Sequence, residues 1–176
     1  TREDYLGEGG KHWREAFMHG VLAGKTRAGE GELYGGLGAI AQGTWGDGDA
    51  GGYTSGRERD VDLEDAYLGW RSAGGLLDLS FGRQQFQLGD GFLIAGDRIN
   101  LGKGALLGGA DVDRGGAYYI AAKKSFGNTA ILRVDPDGPL RGDAFWLQSN
   151  NPYHQDTELG GVVPNGRKPS AGLAWL

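Results

Sequence analysis

The order of the connections constrains this chain more than any other feature. Segments with period-two hydrophobicity are joined alternately by short and long stretches. Residues 27–30 make a short turn, 46–60 a long Gly/Asp-rich connection, 73–75 a short turn and 87–115 a very long connection. Gly127-Asn128 reads as a two-residue hairpin turn, built from residue types that accept positive φ. Residues 136–169 are long again. A soluble sandwich has no physical reason to sort its loops by parity. A sheet that crosses a bilayer does, because tight turns gather at one end and extended loops at the other.

The segments between these connections have the alternation of strands. Leu33, Leu37, Ala39, Ala41 and Trp45 share one parity, and Tyr34, Gly36, Gly38, Gln42 and Thr44 the other. Ala66, Leu68 and Trp70 alternate with Asp65, Tyr67, Gly69 and Arg71. Leu77, Leu79 and Phe81 alternate with Asp78, Ser80, Gly82 and Gln84. Tyr118, Ile120 and Ala122 alternate with Tyr119, Ala121 and Lys123, and Ala130, Leu132 and Val134 with Ile131, Arg133 and Asp135. Residues 12–26 add a less regular strand, with Ala16, Met18 and Leu22 on one face and Glu15, His19 and Lys25 on the other. The aromatics Trp45, Trp70, Phe81 and Phe126 fall near strand ends, as a membrane-interface belt requires.

Composition agrees with a barrel and excludes other classes. Glycine supplies 36 of 176 residues without a G-X-Y period, which excludes collagen. No run approaches the roughly 18 apolar residues of a spanning helix. There is no cysteine, so disulfides, thiolate chemistry and Cys-based zinc sites are absent, and the net charge of −5 argues against nucleic acid. The expected fold is therefore an all-β, antiparallel, up-and-down transmembrane barrel of the outer-membrane type, with residues 1–176 in one domain. Six strands and a seventh begun at 171–176 are not the even number used by bacterial single-chain barrels, so the chain is expected to supply part of a larger barrel; the alternative is that Gly142–Asn150 is a strand too, giving eight and closing a small barrel, at the cost of breaking the alternation of connections.

The charged residues of the strands lie on the faces opposite the apolar ones. Asp65, Arg71, Asp78, Lys123, Arg133 and Asp135 are the expected lumen charges, and their mixed signs suit a watered interior. The long connection 87–115 contains the apolar run Phe92-Leu93-Ile94-Ala95, then Asp97, Arg98 and Lys103, then Ala105-Leu106-Leu107. Exposing that cluster to water is costly. Folded inward, the loop buries it against the wall and makes Asp97, Arg98 and Lys103 a constriction whose cations favour anions. The other placement open to it is against neighbouring external loops.

Catalytic and metal signals are weak. His12 and His19 are seven apart and lie on opposite faces of a strand, and no Gly-x-Ser-x-Gly or Ser/His/Asp order appears. The expectation is no enzyme and no cofactor. Asp47 and Asp49 in Gly46–Gly52 offer oxygens for calcium but lack the terminal Glu of a calcium loop. Asp111–Gly116 has the same status.

Val61 to Asn100 carries a resemblance. Glu64-Asp65-Ala66-Tyr67, the turn Gly74-Gly75, Gly82-Arg83-Gln84 and Gly89-Asp90 stand in an order that resembles the alginate-export family of proteobacterial outer-membrane porins. The resemblance covers about 40 residues by eye, and such strand–turn–strand motifs are moderately specific. It implies a monomeric barrel in the bacterial outer membrane, in contact with lipid and lipopolysaccharide, that lets a solute diffuse across. A lumen for a polyanion presents an excess of Arg and Lys; the faces here carry both signs. The expected function is passive diffusion of a polar or anionic solute, polysaccharides included. The competing reading is a soluble or surface-exposed β-rich binding module, with one face packed and one wet.

Overall fold

The computed structural model describes residues 12–47, 56–97, 120, 122–135, 140–150 and 158–166. These residues form an all-β chain. Its strands are β1 (Trp13–Ala28), β2 (Gly31–Gly46), β3 (Arg59–Arg71), β4 (Leu77–Arg83), β5 (Asn128–Val134), β6 (Leu140–Gln148) and β7 (Glu158–Gly166), with a short 3-10 turn, Ala73–Gly75, between β3 and β4. They make one seven-stranded sheet in sequence order, with β1 and β7 at its two ends. The pairs from β3 to β7 are antiparallel. This is an up-and-down meander, the simplest topology that short turns between antiparallel strands can produce.

Connections 29–30, 72–76 and 135–139 are short, whereas 47–58, 84–127 and 149–157 are longer. Parity of connection length therefore holds, although two expected elements do not. The first is the strand read at Tyr118–Lys123. Residues 122–125 are not in a strand, and 118, 119 and 121 lie outside the described residues. The second is the hairpin turn at Gly127-Asn128. Gly127 instead donates its amide to Gln148 O at 2.9 Å, and Asn128 opens β5, which pairs with β4 and β6. In their place stand β6, which covers the apolar segment before Asn150, and β7, inside the stretch read as loop. The expected strand at 171–176 lies outside the described residues.

The turn Ala73–Gly75 places Gly74 and Gly75 at φ 76° and 77°, a region that favours glycine. Along β3 the alternation changes phase. Arg59, Val61 and Leu63 are exposed, then Leu68 and Trp70. Glu64 and Asp65 sit side by side at the change, both withdrawn from solvent, as two residues do at a β-bulge. β1 is exposed along nearly its whole length, with Phe17 and Val21 on one parity and Met18 and Leu22 on the other.

The chain divides into two compact units. One comprises Thr1–His19, Ile40–Asp62 and Leu101–Ala122. In it Ile40 packs with Ala122, and the Arg59 guanidinium lies 4.2 Å above the Trp45 ring while donating to Thr44 O and Glu58 O. The other comprises Gly20–Ala39, Leu63–Asn100 and Lys123–Leu176, and its core is Phe86, Ile94, Phe126, Ile131, Phe145 and Leu147.

Candidate functional site

Within the second unit the two faces of the sheet from β3 to β7 differ in kind. The register aligns Leu68, Phe81, Ala130, Trp146 and Gly160 in one row, and Trp70, Leu79, Leu132, Ala144 and Val162 in the next. Leu77, Val134, Gly142 and Pro164 begin a third. All are apolar, and Leu68, Phe81, Val134, Trp146 and Val162 are exposed.

The opposite face is polar, and its key feature is a row of charges in direct cross-strand opposition. Arg71 on β3 faces Asp78 on β4, Asp78 faces Arg133 on β5, and Arg133 faces Asp143 on β6. Sign alternates at every step, so each charge has opposite neighbours at sheet spacing, the arrangement that stabilises cross-strand pairs. Arg71 donates to Asp78 Oδ2 from Nε at 3.1 Å and from Nη2 at 2.7 Å. Arg133 Nε lies 3.7 Å from Asp143 Oδ1. The Tyr34 hydroxyl donates to Asp78 Oδ1, so the buried Asp78 has both oxygens engaged. Lys25 on β1 and Glu32 on β2 add a pair at 3.0 Å. Glu32 and Arg71 line one open depression of about 570 Å³ beside the turns 29–30 and 72–76.

Two tyrosines lie over glycines of the neighbouring strand. A Cβ on Gly69 would meet Tyr34 Cζ at 2.2 Å, and one on Gly36 would meet Tyr67 at 2.8 Å. The rings contact each other edge-on, with centroids 6.4 Å apart. Gly69 and Gly36 therefore supply the room in which the rings lie against the sheet.

Farther along the same face the chain between β4 and β5 folds back onto the sheet. Its outgoing arm, residues 84–97, brings Phe86 and Ile94 onto Ile131, Phe145 and Leu147, and its returning arm, 122–127, adds Phe126. Phe86 and Phe145 rings stand 4.9 Å apart. Gln84 Nε2 donates to Ser80 Oγ at 3.0 Å and Thr129 Oγ1 at 2.7 Å. The bridges Gln84↔Phe126 and Gln87↔Ala95 give the arms local order.

Of the charges expected on one side of the sheet, Asp78 and Arg133 share the polar face with Arg71, and Asp65 shares the parity of Arg71 on β3. Asp135 sits just past β5 at φ 50°, where its amide donates to Leu76 O at 2.7 Å. Lys123 is not on a strand but on the returning arm. Asp97 is buried on the outgoing arm, and its carboxylate accepts from Ser149 Oγ and from Asn150 N at 2.5 Å. Arg98 and Lys103 lie outside the described residues, as does Asp49. Asp47 exchanges contacts with the His12 backbone: its carboxylate accepts from His12 N at 3.1 Å, and its amide donates to His12 O. Among the described residues no three His, Asp or Glu side chains converge as metal ligands. Phe126 is buried in the core and does not join the exposed aromatics.

The apolar run of the long connection is split. Ile94 is buried, whereas Phe92 and Leu93 at the turn are 94% and 79% exposed. Sequence reasoning missed Tyr34, Glu64 and Asp143 as members of the site. Asp143 required β6, and Glu64 required the phase change in β3. Tyr34 was legible as polar-face by parity but not as a partner of Asp78. No family model, curated protein or solved structure matches this chain.

Proposed function

We propose that this chain forms part of the wall of an outer-membrane β-barrel through which a polar solute diffuses passively. One observation carries the reading: Leu68, Phe81, Val134, Trp146 and Val162 on the apolar face of β3–β7 are exposed, whereas Asp78, Ser80 and Thr129 on the polar face are buried. A soluble sheet does the reverse, because burying apolar area is what stabilises it. An exposed apolar face this broad needs an apolar surround, and a bilayer supplies it on the outside of a barrel. The meander and its alternation of short and long connections support the same reading, as does the resemblance to alginate-export porins.

In a barrel the polar face lines the passage. Its charges are paired, so the wall carries alternating potential without a surplus of cations among the described strands. That favours a polar solute over a polyanion, with selection by width as much as by sign. The arms 84–97 and 122–127 occupy part of the cross-section and narrow it. Closure also has a parity rule. Consecutive antiparallel strands leave β1 and β7 running the same way, so an antiparallel barrel needs an odd number of strands besides these seven.

The test is reconstitution of the full-length protein that carries this chain, from detergent into planar bilayers. Discrete, ohmic conductance steps are expected. A chain that stays monodisperse without detergent and never conducts is a soluble module, and the channel reading is then wrong.

A further inference from the structure

The described arms of the β4–β5 connection are held to the polar face by more than their apolar contacts. Two carboxylates grip them. Glu64 on β3 is 3% exposed, and its Oε1 accepts from Lys124 N at 2.5 Å and Ser125 N at 2.8 Å. Those amides have left the sheet and need an acceptor. Asp97, 2% exposed, ties the outgoing arm to the end of β6 through Ser149 Oγ and Asn150 N. The arms are also joined to each other, since Asp97 N donates to Lys124 O at 2.7 Å. The nearby charges are Asp65 beside Glu64, Lys123 and Lys124 on the returning arm, and Arg83, which donates to Asn150 Oδ1 at 3.1 Å and to Leu63 O at 3.2 Å.

We propose that Glu64 and Asp97 are positioning residues for the passage: a pair of buried carboxylates that latch the arms onto the wall and so set its width. The inference rests on the channel reading. Oxygen usage separates the two latches. Glu64 does its work through Oε1 alone, and Oε2 accepts no hydrogen bond among the described residues. A glutamine presenting its carbonyl oxygen in place of Oε1 keeps both bonds, whereas alanine leaves two buried amides without an acceptor. Asp97 uses both oxygens, so asparagine replaces only part of its function.

The experiment is single-channel conductance of the full-length protein that carries this chain, with polyethylene glycols of graded size as probes of the limiting width. Glu64→Ala and Asp97→Ala are expected to raise conductance by roughly twofold and to admit larger polymers, since conductance follows the open cross-section. Glu64→Gln is expected to restore the wild-type step. That rescue distinguishes a latch from a general loss of stability. Ser149→Ala keeps both carboxylates and the Asn150 amide bond and removes only the hydroxyl contact of the Asp97 latch, so it carries the test even if the alanine variants do not insert; a polymer limit raised by less than in Asp97→Ala is expected. Unchanged conductance and polymer limit in all of these, in a wild type that conducts, overturn the latch. A wild type that does not conduct overturns the channel reading instead.

Discussion

The two faces of β3–β7 are built from the same strands, one residue apart, yet they follow opposite rules. On one, Leu68, Phe81 and Val162 are 61%, 51% and 82% exposed. On the other, Asp78, Ser80 and Thr129 are 4%, 5% and 3% exposed. Polar groups on the second face are joined across strands by ion pairs and hydrogen bonds. The difference shows which solvent each face is suited to. A polar side chain withdrawn from bulk water must find partners or lose free energy, and these have found them. An apolar face with no second layer beside it among the described residues is stable only against something equally apolar.

The largest expected effect tests that directly. Leu132, paired with Leu79 and Ala144 in the middle of the apolar face, is changed to Arg. If lipid covers the face, the cost is about 2–4 kcal/mol, the range for a cation near a bilayer midplane. Urea titration of the protein in lipid vesicles measures it. A cost below about 0.5 kcal/mol is what a surface site in water gives, and it removes the distinction between the faces. Next is Asp78→Ala on the polar face. It strands the Tyr34 hydroxyl and the Arg71 guanidinium, for about 2–3 kcal/mol. A double-mutant cycle with Tyr34→Phe separates the hydroxyl bond from the ion pair, and coupling near zero would mean that the bond does not form.

Gly69→Ala follows. The new Cβ meets the Tyr34 ring at 2.2 Å, and its neighbour here is a packed aromatic, not the loose end of a flexible chain. The expected cost is about 1–3 kcal/mol, as for other overpacked sites. The double variant with Tyr34→Ala relieves the overlap and costs less than the sum of the two single changes. Additive costs would show that the ring does not lie over Gly69.

The apolar face was largely legible in the sequence, and the polar face only in part. Period two was enough for β2, β4 and β5, because each has one apolar parity and short turns at one end. β6 was harder to read. Phe145 and Leu147 are buried under the arms on the polar side while Ala144 and Trp146 lie on the other, so both parities look apolar and the alternation disappears. β7 was hidden by Gly160, Gly161, Pro164 and Asn165, which read as a loop. Proline is tolerated there because β7 lies at an end of the sheet. Of the segment read as a strand at 118–123, the described residues 120, 122 and 123 are not in a strand. Its alternation was real, but Ala122, Ser125 and Phe126 are buried by folding onto other chain segments, and the amides of Lys124 and Ser125 go to a carboxylate instead of a neighbouring strand. Losing that strand and gaining β6 kept the alternation of connections intact. The latch was illegible because Glu64 meets residues 60 positions away or more.

The smallest expected effect marks where the polar face stops behaving like an interior. Lys25 and Glu32 continue the alternation of sign toward β1, and at 3.0 Å their contact is nearly as close as the Arg71–Asp78 pair. Distance alone would rank the two pairs together. Exposure separates them: the Lys25 and Glu32 side chains are 71% and 36% exposed, whereas Asp78 is almost fully withdrawn. Water and salt screen an exposed pair, and ordering two long side chains offsets most of what remains. Lys25→Ala is therefore expected to change stability by no more than about 0.5 kcal/mol, and by less still in high salt. The cost of Asp78→Ala should depend less on salt, because Asp78 itself is withdrawn and also accepts from the Tyr34 hydroxyl, although its partner Arg71 is 45% exposed. A Lys25→Ala cost as large and as salt-insensitive as that of Asp78→Ala would mean that β1 and β2 are covered on this side too. The withdrawn face would then span the whole sheet from β1, and the boundary drawn here between a paired interior and a wetted rim would have to move outward by two strands.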